Sequence, residues 1–251
     1  MVHFVGAGSG AADLITIRGK KLLEAADVVI YAGSLVNPEL LKYARTDCEV
    51  HNSALMTLDE VIEVMDKAEK NGRTTVRLHT GDPCVYGAIR EQMDRLDKLG
   101  ISYDVCPGVS SFCGAAAALK AEYTLPDVSQ TVILTRMAGR TPVPDSESIE
   151  SLAAHHATMV VFLSTGMLEE LSERLINGGY SPDTPAAIVY KATWADEKVC
   201  RCTVGTLAET AKANDITKTA LITVGDFLGD VRSFSKLYSP GFETEFRKAK
   251  K

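Results

Sequence analysis

The sequence is poor in aromatic residues, at 6% of 251 with a single tryptophan, and no apolar run in it approaches the roughly 18 residues that a membrane-crossing helix needs. The longest candidate, Thr158 to Leu163, is closed off by Ser164, Thr165 and Gly166. The N-terminus, Met1 to Val5, runs into a glycine turn without a basic segment, so no secretory leader is expected and a cytoplasmic location is. A basic excess is also missing. With 27 basic against 33 acidic residues the net charge is −6, which argues against a general nucleic-acid binder.

Several reactive arrangements are missing as well. The six cysteines contain no C-x-x-C and read as small buried hydrophobes of a reducing compartment. Cys200-x-Cys202 would put two thiols on one face of a strand, but no second His or Cys pair accompanies them, and no metal is expected. Paired carboxylates and a P-loop are lacking, and His155 and His156, as sequential neighbours, point apart. Around Ser110 and Ser111 the G-x-S-x-G elbow fails because Phe112 stands at the second glycine position. Whatever chemistry occurs therefore needs no strong acid or base.

What remains is 45% hydrophobic and 24% charged, an ordinary globular composition. The first half alternates β-rich runs with helical patterns. These are Phe4-Val5, a helix from about Leu14 to Ala26, Asp27 to Tyr31, a helix opened by the capping box Thr57-x-x-Glu60, Thr74 to Leu78, a helix to about Leu99, and Tyr103 to Cys106. That order predicts an α/β fold with a parallel sheet. Gly139 to Asp145, with two prolines, interrupts every periodic pattern, so the domain boundary is placed there: 1–138 is an N-terminal α/β domain and 139–251 a C-terminal mixed α/β domain. In the latter, Ala186 to Tyr190 and Lys198 to Thr203 have no helix between them and suggest an antiparallel hairpin.

The opening Gly6-Ala-Gly8-Ser-Gly10-Ala11 superficially fits a dinucleotide fingerprint, yet the second strand ends Tyr31-Ala-Gly-Ser34 without the acid that would hold a ribose. The loop still lets a large ligand approach the backbone, or is merely a tight turn. His79-Thr-Gly-Asp-Pro83 ends a buried strand, where ligands of α/β sheets bind; Asp82 could equally cap the next helix. Ser110 and Ser111 stand at a helix N-terminus, to cap it or to face a ligand.

Taken in order, Val5-Gly-Ala-Gly-x-Gly-x-x-Asp13-Leu-Ile-Thr16, Ala26-Asp-Val-Val-Ile-Tyr31, Thr80-Gly-Asp-Pro83, Pro107-Gly-Val-Ser-Ser111 and Thr219-Ala-Leu-Ile222 resemble the tetrapyrrole (corrin and porphyrin) methylases. Tyr31-Ala-Gly-Ser-Leu-Val36, Thr131 to Arg136 with Gly139 to Pro144, and Tyr190-Lys-Ala-Thr-Trp194 look like the branch that methylates carbon 11 of precorrin-4 or cobalt-precorrin-4 in cobalamin biosynthesis. Ser9 departs from the family, many members of which carry proline there.

The resemblance implies two α/β domains with S-adenosylmethionine in the cleft between them, a tetrapyrrole substrate and a homodimer. Carried over by motif, cofactor contacts fall on Thr80, Gly81, Asp82, Val85, Ser110 and Ser111, and in the other domain on Thr165, Ala192 and Ala220. Substrate contacts fall on Gly8, Ser9, Gly10 and Asp13 of the glycine loop. Because an acidic protein must hold the substrate's carboxylates locally, Arg136 and Arg140 are added as forked anion ligands, or are solvated linker charges. No catalytic acid or base is assigned. Methylation at another ring position, an NAD-dependent oxidoreductase and a non-catalytic binding protein are the alternative readings.

Overall fold

A computed structural model describes residues 1–230 and 235–249. They form two compact units, Met1–Ala115 with Lys191–Glu197, and Ala116–Tyr190 with the residues from Lys198 onward.

In the first unit, β1 (Val2–Gly6), β2 (Val28–Tyr31), β3 (Glu49–Asn52), β4 (Thr75–His79) and β5 (Tyr103–Cys106) form a wholly parallel sheet in the order β3-β2-β4-β1-β5. Parallel strands joined by crossover helices are covered on both faces, which is why their sequences run apolar without alternation. One face carries Val5, Val29, Val76 and Leu78 against Leu23 of α1 (Ile17–Ala25). The other carries Phe4, Val28 and Ile30 against Met65 of α2 (Leu58–Lys70) and Leu96 of α3 (Ile89–Leu99). The capping box expected at α2 is formed, with Thr57 and Glu60 each bonding the other's amide.

Strand β4 is fully buried although it reads Thr-Val-Arg-Leu-His. Its polar residues alternate, so Thr75, Arg77 and His79 share one face. Arg77 donates to Gln92 Oε1 at 3.1 Å and to the Ile30 carbonyl at 3.2 Å, while Thr75 Oγ1 and His79 Nε2 have no protein partner. The insertion of β4 between β2 and β1 also separates this sheet from the dinucleotide-binding order 3-2-1-4, in which the first two strands are adjacent.

In the second unit, β6 (Val132–Arg136), β7 (Thr158–Phe162), β8 (Pro185–Tyr190), β9 (Lys198–Thr203) and β10 (Ala220–Val224) lie in the order β6-β7-β10-β8-β9. Only β6 and β7 are parallel; β8 and β9 form the expected hairpin, paired from Pro185↔Thr203 to Tyr190↔Lys198. Helices α5 (Ile149–Ala153), α6 (Leu168–Asn177) and α7 (Leu207–Ala213) cover one face, with Leu171, Leu175 and Leu207 on Met159, Val161, Ile188 and Ile222.

The sequence put the boundary at 138/139, whereas the compact units part at 115/116, inside the helix α4 (Ser111–Leu119). Strand β6 accounts for the difference, since it pairs with β7 from Val132↔Thr158 to Arg136↔Phe162. The Gly-Pro interruption after it marks an exposed loop within the second unit, and such loops look alike in sequence wherever they fall.

Candidate active site

The strand order makes β4, β1 and β5 neighbours, and their register ends them at one level, with Gly6 beside His79 and Val5 beside Cys106. The three loops that follow are thereby brought together at the carboxyl edge of the sheet. Gly8 and Gly81 exchange backbone hydrogen bonds, the Gly8 amide to the Gly81 carbonyl at 3.2 Å and the Gly81 amide to the Gly8 carbonyl at 3.0 Å. The third loop packs backbone on backbone: a Cβ on Gly108 would lie 2.2 Å from the Gly81 carbonyl oxygen and 2.7 Å from Gly6 Cα. Gly6 and Gly108, neither of which the motifs marked as site residues, are thus what lets the loops meet.

Asp82 joins the same two loops. Its Oδ1 accepts the Cys84 amide and its Oδ2 the Gly108 amide, both at 2.8 Å. Desolvation pushes this carboxyl up, but the bonds from Cys84 and Gly108 outweigh it, and its pKa lies below the ordinary value. The carboxylate is therefore an internal clasp, nearer to the capping alternative than to a free ligand group.

Around the clasp the polar groups are hydroxyls. Thr80 Oγ1 is buried without a protein partner. Ser110 is buried and Ser111 half-buried at the start of α4, against Gly81. Val85 is half-buried beyond the Asp82 turn. His79 behind them is uncharged, because burial first and Arg77 second push its pKa down to about 3. The thiols offer no ready nucleophile, since the Asp82 bond raises the pKa of Cys84 and desolvation that of Cys113.

The glycine loop is engaged from its other side by residues 191–197, an excursion between β8 and β9. Thr193 Oγ1 bonds the Ala11 amide at 3.0 Å and Ser9 Oγ at 3.2 Å, Trp194 lies against Gly10, and Asn37 Nδ2 donates to the Gly10 carbonyl at 2.9 Å. The sequence did not mark Asn37, Thr193 and Trp194 as partners of the glycine loop, although the Tyr190 to Trp194 motif contains two of them and the Tyr31 to Val36 motif ends just before the third. Ala192, expected in the second domain, belongs with this excursion to the first unit. Asp13 is exposed on the short turn Ala12–Leu14.

The remaining candidates lie in the second unit. Thr165 Oγ1 donates to the Ala220 carbonyl at 3.1 Å, so these two are neighbours. Arg136 turns its fork onto its own loop, donating to the carbonyls of Met137 and Thr141 at 3.1 Å and of Pro142 at 2.7 Å. Arg140 is exposed on that loop.

Residues 1–208 match the family model of the tetrapyrrole (corrin/porphyrin) methylases. The chain belongs to this family. As a member it is an S-adenosylmethionine-dependent methyltransferase, in keeping with the resemblance read from its motifs. Its relatives include a cobalt-precorrin-4 C(11)-methyltransferase of Methanocaldococcus jannaschii, 53% identical over all of this chain and 97% of that one. A precorrin-4 C(11)-methyltransferase of a Sinorhizobium species is 45% identical over 98% of each. The crystal structure of a cobalt-precorrin-4 methyltransferase matches with a TM-score of 0.88 at 47% identity, over 90% of the methylase chain and 95% of the other.

Proposed function

We propose that this methylase transfers a methyl group from S-adenosylmethionine to carbon 11 of cobalt-precorrin-4 or precorrin-4, a step of cobalamin biosynthesis. The observation that carries this reading is the identity of 53% over the whole chain to a relative named for that reaction. The loops at the carboxyl edge of the first sheet support it. Around Gly81 they present neutral hydroxyls and backbone, and the carboxylate there, Asp82, is already held by two amides.

These residues fit the cofactor. Thr80 Oγ1 is a buried hydroxyl without a protein partner and the adjoining Gly81 backbone packs on the first turn of α4, so Thr80, Gly81, Val85, Ser110 and Ser111 would hold it, and the family resemblance adds Ala192, Thr165 and Ala220. Asp82 acts by fixing the loops. The cofactor would supply a methyl group on a positively charged sulfur, so that its transfer would move positive charge rather than create it. No proton need be taken by a strong base, so the chain's own work is to align the reactants and exclude water, which can contribute about 7–11 kcal/mol. Gly8, Ser9, Gly10 and Asp13 are assigned to the substrate side, and of the two arginines Arg140 is kept as the ligand of a substrate carboxylate, because the Arg136 fork is engaged.

The protein acts as a cytoplasmic homodimer in this account. No helix among the described residues is long and apolar enough to cross a membrane. Light scattering at micromolar concentration tests the dimer, with twice the chain mass of 27.0 kDa expected and a stable monomer contradicting it. The reaction is tested by product analysis: a new methyl at carbon 11 supports it, and one at another ring position replaces it with the alternative specificity.

A further inference from the structure

The excursion between β8 and β9 has a construction that neither the hairpin nor the sheet needs. Lys191 and Thr193 adopt φ values of 46° and 70°. A β-branched residue there is a true outlier, held only where its surroundings over-determine it. The excursion braces itself: Lys191 Nζ bonds Asp196 at 2.6 Å, and the Thr193 amide donates to Glu197 Oε2 at 2.6 Å. What the left-handed turn achieves is to aim the Thr193 hydroxyl at the glycine loop, where it meets both the Ala11 amide and Ser9 Oγ.

The segments beside that hydroxyl pack closely at two glycines. A Cβ on Gly10 would fall 2.2 Å from Trp194 Cδ1 and 2.7 Å from the Ala192 carbonyl oxygen. One on Gly114 of α4 would fall 2.7 Å from Ser9 Cβ and 3.3 Å from Thr193 Cγ2. Ser9 is buried here, and the loop is held from outside by a hydroxyl that meets both the Ala11 amide and the Ser9 side chain.

We propose that Thr193 is a positioning residue for the tetrapyrrole: through Ala11 and Ser9 it sets the glycine loop against which the ring system lies, and so governs substrate binding without touching the cofactor. The inference rests on the assignment of the glycine loop to the substrate in the proposed function. It distinguishes Thr193 from its neighbour Ala192, which that function assigns to the cofactor side.

Three variants test it: Thr193→Val removes the hydroxyl at constant shape, Thr193→Gly removes it while relieving the φ of 70°, and Thr193→Ser keeps it. Trp194 is the only tryptophan, so its emission reports whether the excursion stays folded in each. Losing a bond to a part-buried amide weakens an interaction by up to about tenfold. In steady-state methylation of cobalt-precorrin-4, the Val and Gly variants should therefore raise KM for the tetrapyrrole about tenfold. The affinity for S-adenosylhomocysteine by calorimetry should stay within about twofold, and Ser should restore the unsubstituted KM. Amide exchange should accelerate at Ala11 in Val and Gly but not in Ser. An active enzyme whose KM is unchanged in Val and Gly overturns the proposal alone, and so does an equal loss for both ligands, which would mark Thr193 as merely structural. Inactivity of the unsubstituted protein overturns the assigned reaction, and the proposal with it.

Discussion

One carboxylate, that of Asp82, accepts the Gly108 amide at 2.8 Å and so ties the turn after β4 to the turn after β5. Because its other oxygen holds the Cys84 amide, a single side chain fixes two of the three loops that form the candidate site. Asp82→Ala should keep the fold, lower stability by about 1–3 kcal/mol and weaken S-adenosylhomocysteine binding, as read by urea unfolding and calorimetry. Asp82→Asn, which keeps one acceptor oxygen, should lie between the two; unchanged affinity in both variants would remove this loop from the cofactor site.

Gly108→Ala attacks the same junction by crowding. The added Cβ would sit 2.2 Å from the Gly81 carbonyl oxygen, a backbone atom that cannot turn aside. Overpacking of this kind costs about 1–3 kcal/mol and forces the loops apart. The thermal midpoint should drop and cofactor affinity should fall together, whereas the same substitution at exposed Gly72, with open space around it but a φ of 66°, should change stability only and leave affinity intact.

The buried His79 gives a pH dependence of definite sign. Its folded pKa is pushed down to about 3 by burial and by Arg77, below the ordinary 6.5. Between those values the unfolded chain binds a proton that the folded chain does not, so stability must fall as pH drops below about 6.5, by at most about 1.4 kcal/mol per pH unit from this group. Chemical denaturation at pH 7.5 and pH 5 should show a smaller acid loss in His79→Leu than in the unsubstituted protein. Equal losses would mean that His79 becomes charged in the fold.

The two arginines of the second unit should separate. Arg136 donates to three carbonyls of its own loop, so Arg136→Ala should lower stability by roughly 1 kcal/mol. Arg140, exposed, should instead affect the ligand: Arg140→Ala should raise the tetrapyrrole dissociation constant about tenfold, while S-adenosylhomocysteine affinity stays within about twofold. No change in either ligand's binding would return Arg140 to the solvated loop.

Much of this fold was legible in the sequence because its signals are local. The Thr57–Glu60 capping box, the apolar run of β2 and the β8–β9 pair without an intervening helix each lie within a short window. Partnership between distant strands was not legible. Nothing in Val132–Arg136 says that it pairs with β7, and the polar edge strand β3, Glu-Val-His-Asn, carries no apolar pattern to announce it. In the site, the motifs led to Gly81, Asp82, Ser110 and Ser111, which converge. The sequence could not show that the Asp82 carboxylate holds two amides of its own site, nor that the Arg136 fork faces its own loop. The contacts of Gly6, Gly108 and Thr193 arise from approaches between segments tens of residues or more apart, which no local pattern announces.

The central claim is the site of methylation, and one measurement addresses it directly. The purified protein is incubated with cobalt-precorrin-4, and in parallel with precorrin-4, in the presence of S-adenosylmethionine labelled with carbon-13 in its methyl group, and the product is examined by mass spectrometry and carbon NMR. The account predicts the gain of one labelled methyl, located at carbon 11. A label at any other ring carbon, or none transferred to either substrate by folded protein that binds S-adenosylhomocysteine, would contradict it.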